Sequence, residues 1–97
     1  MRVTWTPLAY EQLDAAMAYI AADRPATAGE WLERLLRAAA DLADFPDQGP
    51  VVDGAGRDDI RELIVSPYRI IYRRDPDHVY VTMVLHERQH VEAKDLG

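Results

Sequence analysis

The chain contains no cysteine. That excludes a disulfide scaffold and any thiolate chemistry, and it points to a reducing compartment, the cytoplasm. No apolar stretch approaches the ~18 residues a membrane-spanning helix requires, so no membrane partner is expected. The opening MRVTWTPLAY also lacks the apolar run of a signal peptide. Positive charge is scarce: 11 Lys and Arg stand against 17 Asp and Glu, a net charge of −6. Indiscriminate binding to nucleic acid depends on positive charge meeting phosphate, so this balance argues against it. No direct sequence-specific nucleic-acid binding is expected of the chain alone. Repeats and low-complexity segments are absent, and so is a phosphate-binding glycine loop, because GAG at 54–56 lacks its spacing and context.

What remains is 97 residues, 48% of them hydrophobic, enough for one globular domain spanning 1–97. The charge is unevenly distributed. Residues 8 to 48 hold eight carboxylates against three arginines, whereas seven of the eleven basic residues lie from Arg57 onward. An acidic half joined to an arginine-rich half suggests one surface shaped for a particular partner.

Arg2 to Thr6, with Val3, Thr4 and Trp5, suits a short first strand. Thr6-Pro7 predicts a helix start, a hydroxyl cap followed by proline where a missing N–H costs nothing. Ala9, Leu13, Ala16, Met17 and Ile20 follow at helical spacing. A second helix opens either at Pro25 or at the capping box Thr27–Glu30, and Pro46 ends it. Its buried stripe is Ala28, Trp31, Leu32, Leu35, Ala39 and Leu42. The short turn between the two helices predicts an antiparallel hairpin. Residues 46–59 form an irregular connection, and three strands follow at about 60–65, 68–74 and 79–86, turning at Ser66-Pro67 and Pro76-Asp77. The tail from Gln89 to Gly97 suits a frayed end or a short helical turn. The fold class is therefore α+β.

Side-chain alternation assigns faces. With the last turn centred on Pro76-Asp77, Tyr68, Ile70, Tyr72, Val79, Val81, Met83 and Leu85 share the face that receives the helices. The other face collects Arg69, Ile71, Arg73, Tyr80, Thr82, Val84, His86 and Arg88, and is expected to stay open. A two-residue turn at Ser66-Pro67 sets Glu62 opposite Ile71 and diagonal to Arg69 and Arg73, with Arg61 on the helix side.

The cluster Arg69, Arg73, His86 and Arg88 can be a surface for an anionic partner, or simply the solvated side of a half-buried sheet. His86 could act as a general base, a role histidine commonly fills, yet no nucleophile or orienting group has the spacing to accompany it. His78, His86 and His90 lack metal-ligand spacing, so neither metal nor cofactor is expected. Glu33 and Arg37 are placed for an i,i+4 pair, and Trp5 and Trp31 for packing.

Several strings run in one series: WTPLA at 5–9, P-x-x-A at 25–28, FPDQG at 45–49, REL at 61–63, PYRIIY at 67–72 and VLHER at 84–88. Across nearly the whole chain this order resembles type II toxins of the RelE/ParE superfamily, and its ParE branch more closely. The resemblance implies a β-α-α-β-β-β fold and toxicity neutralised by a cognate, ParD-like antitoxin. ParE-branch toxins block DNA gyrase, whereas RelE-branch toxins cleave mRNA on the ribosome. By that resemblance a ribonuclease here would use Arg69 on the third strand and Arg88 near the end, with His86 as the candidate base that the residues themselves offer. Glu62 stands where such an enzyme has a second-strand lysine, and no tyrosine follows Arg88. A gyrase-inhibiting toxin, a ribosome-dependent endoribonuclease and an inactive antitoxin-binding module all remain open, with the first favoured.

Overall fold

The computed structural model describes residues 1–89. Strand β1 (Arg2–Trp5) leads into helix α1 (Pro7–Ala21), helix α2 (Pro25–Ala40) and a 3₁₀ turn at Asp41–Ala43. Strands β2 (Ile60–Val65), β3 (Tyr68–Arg74) and β4 (His78–His86) complete the α+β fold. The expectation for Gln89–Gly97 falls, from His90 on, outside the described residues. The sheet order is β1-β4-β3-β2, with β1 parallel to β4 and the other pairs antiparallel.

Local chemistry accounts for the helix starts. The Thr6 hydroxyl accepts the Ala9 N–H at 3.2 Å and caps α1 ahead of Pro7. Helix α2 opens at Pro25 without a side-chain cap, so the capping box at Thr27 is not used. It also stops earlier than Pro46, because its last turn tightens into the 3₁₀ segment that buries Leu42.

The main core lies between the hairpin and the sheet. Ala9, Leu13 and Met17 of α1 and Leu35 and Ala39 of α2 meet Ile70, Val81 and Val84, with Trp5 and Trp31 packed at its edge. Leu32 is the exception in the expected α2 stripe: it is 36% exposed, and Leu36 one turn on is 40% exposed.

The β2–β3 register matches the expectation at every position, with Glu62 opposite Ile71 and Arg61 opposite Tyr72. In the β3–β4 pair, Arg74 and Tyr72 face Val79 and Val81, but Ile71 faces Met83 and Ile70 faces Val84. Thr82 is therefore an extra residue, a β-bulge. Its hydroxyl donates to the Ile71 carbonyl at 3.3 Å and its carbonyl accepts from the Thr6 hydroxyl at 3.3 Å. The bulge exchanges the faces of everything after it. Val84 joins the helix-side core, while Met83 and Leu85 pass to the other side with Ile71.

That other side is only partly open. Segment 50–52 pairs along the outer edge of β2, through Val52 N–H to Ile60 C=O (2.9 Å) and Glu62 N–H to Pro50 C=O (3.0 Å). Val52 and Ala55 then roof a second apolar cluster with Ile60, Ile71 and Leu85. The alternation placed Ile71 on a solvated face, but it is fully buried.

Tyr72 ties this connection to the sheet. Its hydroxyl donates to Pro46 C=O at 2.8 Å and accepts Gly49 N–H at 3.1 Å. A Cβ at residue 49 would strike the Glu62 carbonyl, so only glycine fits there. Tyr72→Phe should cost about 1–3 kcal/mol by leaving the Gly49 amide unpaired. Burial, the largest cause, pushes the Tyr72 phenol above its ordinary range. The neutral form is thus the one the fold retains, and its contribution is present below about pH 10. It is lost as pH rises through the raised folded value, because the unfolded chain releases that proton more readily. Denaturant titrations from pH 8 to 11 should show stability falling at the alkaline end, less steeply in the phenylalanine variant.

Candidate functional site

The arginines that dominate the sheet half are mostly engaged within the molecule. Asp47 stands between two of them, 3.7 Å from Arg61 Nε and 2.9 Å from Arg74 Nε. Arg61 also donates to the carbonyls of Asp47 (3.2 Å) and Gly49 (2.8 Å), so these two cations secure the 46–49 turn.

Arg69 lies against Glu62, with Nη2 at 2.6 Å and Nε at 3.2 Å from the same carboxylate oxygen. Its Nη1 donates to the Gln89 carbonyl at 3.1 Å. Only 16% of the Arg69 side chain and 20% of the Glu62 side chain are exposed. Glu62, diagonal to Arg69 on adjacent strands, thus cancels its charge and occupies two of its donor nitrogens. Arg73 pairs with Asp75 at 2.9 Å and lies over the Tyr80 ring, its guanidinium carbon 4.6 Å from the ring centroid. At the corner beyond, Arg57 and Asp59 form a two-bond pair at 2.9 and 2.6 Å. Hydrogen bonding from Arg57 holds the Asp59 carboxyl below the usual range.

His86 does not join this group. The bulge turns it to the helix side, where its ring meets the edge of Tyr68 at 6.2 Å. Its Nδ1 accepts the backbone N–H of Arg88 at 3.2 Å, which makes it a turn-closing residue. Arg88 sits in that turn, exposed to solvent. Of the four residues expected to act together, Arg69 and Arg73 share a face, Arg88 marks its end, and His86 lies behind. No group of three or more His, Cys, Asp or Glu that could hold a metal exists among the described residues.

Two features escaped the sequence reading. One is a stack on the open face: His78 lies flat on Tyr80, with centroids 4.2 Å apart, and its Nε2 is 2.7 Å from the Thr4 hydroxyl. The i,i+2 spacing of His78 and Tyr80 on one strand was the available signal. The other is an apolar groove of about 510 Å³ between α1 and the ends of β3 and β4, with Gln12, Tyr19, Tyr68 and His86 among its walls. It is made by elements distant in sequence, and no local pattern announces it.

The fold and these positions can be set beside known proteins. The family model described as the ParE toxin of the type II toxin-antitoxin system parDE matches residues 3–91. The chain belongs to the ParE toxin family. A solved structure titled "Chromosomal ParDE TA system from P. aeruginosa" shares the fold, with a TM-score of 0.75 and 18% identity. The similarity covers 89% of this chain and 95% of that one. No curated protein matches the chain. Membership in the ParE family brings an antitoxin as partner. No helix among the described residues is long and apolar enough to cross a membrane.

Proposed function

We propose that this ParE-family toxin arrests growth in the cytoplasm by binding DNA gyrase, as one domain acting through a recognition surface and not through RNA cleavage. The observation that carries this reading is the Arg69–Glu62 pair. In-line attack by a ribose hydroxyl needs a base, a phosphate clamp and a proton donor to the leaving group. Here the candidate clamp is neutralised by a carboxylate, and the candidate base, His86, sits behind the sheet holding a backbone amide. Protein recognition makes no such demand. Arg88 and Arg73, at the end and margin of the open face, are the groups proposed to meet gyrase, and Arg69 keeps that face in register. Arginine suits the role because its planar fork pairs with a carboxylate through two hydrogen bonds.

The antitoxin is proposed to neutralise the toxin by folding onto it. Leu32 and Leu36 lie one turn apart on the outer side of α2 and remain 36% and 40% exposed. That spacing suits the apolar stripe of an amphipathic helix laid along the hairpin.

The test is a gyrase supercoiling and cleavage assay run beside translation-coupled mRNA cleavage. The expected result is loss of supercoiling with intact mRNA, and cells that filament while translation continues at first. Codon-positioned mRNA cuts with unaffected gyrase would reverse the assignment.

A further inference from the structure

We propose that Thr4, His78 and Tyr80 are positioning residues, which hold the Arg73 guanidinium beforehand in the direction from which it meets a carboxylate of gyrase. This role rests on the gyrase reading above and concerns three residues that the reading leaves unused.

Pairing across three strands assembles the group. Thr4 of β1 lies beside Tyr80 of β4, and Arg73 of β3 lies on the other side of Tyr80. His78 precedes Tyr80 by two residues on β4, so the two side chains share a face. Contacts then run through the set in one order. Thr4 Oγ1 is 2.7 Å from His78 Nε2. The His78 and Tyr80 rings stack with centroids 4.2 Å apart and planes 17° from parallel. The Arg73 guanidinium carbon is 4.6 Å from the Tyr80 ring centroid. A tyrosine on a sheet surface can otherwise change rotamer. The imidazole against its ring, itself tied to Thr4, removes that freedom.

Arg73 is oriented by its contacts but not used up by them. Its Nε and Nη2 donate to Asp75 at 2.9 and 3.4 Å, while Nη1 has no hydrogen-bond partner among the described residues. Of its side chain, 31% remains exposed. Arg69 differs, because Glu62 and the Gln89 carbonyl engage all three of its nitrogens. A planar guanidinium held along one edge and against a ring presents its remaining edge in a fixed direction. That free edge is the one that pairs with a carboxylate. Ordering a long side chain at the moment of binding lowers affinity by roughly two- to tenfold. Holding Arg73 in place beforehand removes that loss.

The experiment titrates the full-length chain and its variants in a gyrase supercoiling assay, with a denaturant titration of each. Tyr80→Ala should raise the half-inhibitory concentration about fivefold and His78→Ala about threefold, within the range set by ordering one side chain. Tyr80→Phe, which keeps the ring beneath Arg73, should stay within about twofold of the wild type. The deciding comparison is made in the Arg73→Ala background. Adding Tyr80→Ala there should change inhibition less than about twofold, because nothing is left to position. A purely structural role for Tyr80, or a direct contact with gyrase, would weaken both backgrounds alike. His78→Ala in the same two backgrounds serves wherever Tyr80→Ala is too unstable to assay. Equal losses in the two backgrounds, or undiminished inhibition by the alanine variants, would overturn the positioning role and leave the gyrase reading intact. Absence of inhibition by the wild-type chain would overturn both.

Discussion

Replacing Leu35 or Ile70 with alanine should lower the unfolding free energy by about 2–5 kcal/mol. Both side chains are fully buried and meet in the cluster that joins the hairpin to the sheet. Leu35 projects from α2 and Ile70 from β3, so each truncation opens a cavity between two layers that cannot easily close on each other. For a domain near 100 residues such a loss corresponds to a melting temperature lower by roughly 10 °C or more. Leu36, 40% exposed on the same helix, provides the contrast. Its alanine variant should lose well under 1 kcal/mol, in keeping with a surface position. Thermal unfolding of the three variants checks the ranking, and equal losses at Leu35 and Leu36 would contradict the layer assignment.

Arg88→Ala should reduce gyrase inhibition at least tenfold, equivalent to about 1.4 kcal/mol, while the fold keeps its stability within roughly 0.5 kcal/mol. The residue is exposed in the turn after β4, and its described contact is made by backbone N–H, which alanine keeps. Arginines that anchor protein interfaces commonly cost 2 kcal/mol or more when removed, so tenfold is a modest expectation. Arg73→Ala should also weaken inhibition, but with some loss of stability, because it surrenders both the Asp75 pair and the contact with Tyr80. Arg61→Ala should behave differently: its guanidinium holds the 46–49 turn, so it should destabilise the chain without acting on the gyrase contact as such. Supercoiling assays paired with denaturant titration separate these outcomes. Full inhibition by Arg88→Ala would remove that residue from the proposed contact.

Glu62 bears on both questions. The two-residue turn at Ser66-Pro67 places it opposite Ile71, and the structure keeps that register and pairs it with Arg69. The weakening of a phosphate clamp on this face was therefore legible in the amino-acid order. His86 was not. The run Met83-Val84-Leu85 is apolar at every position, so alternation carries no information about which of its residues turns inward. The bulge at Thr82 settles the matter, and the reason is tertiary. With Thr82 bonded to both Ile71 and Thr6, Val84 can reach the helices while Met83 and Leu85 reach the roof formed by Val52 and Ala55.

The same contrast separates the two levels throughout. The elements and their order were readable in the amino-acid chain, because proline, hydroxyl caps, turn residues and apolar spacing act over a few neighbouring positions. Thr6-Pro7 starts α1 and Ser66-Pro67 joins β2 to β3 for reasons contained in those dipeptides and their flanks. Which side chains became partners was set by how distant elements came together. Asp47 meets Arg61 and Arg74, Tyr72 meets Gly49, and Gln12 meets the amide of Val84 across separations of 14 to 72 residues. Those contacts depend on packing, which turned a row of arginines that looked free in the sequence into internal fasteners and left Arg88 exposed at the end of the sheet.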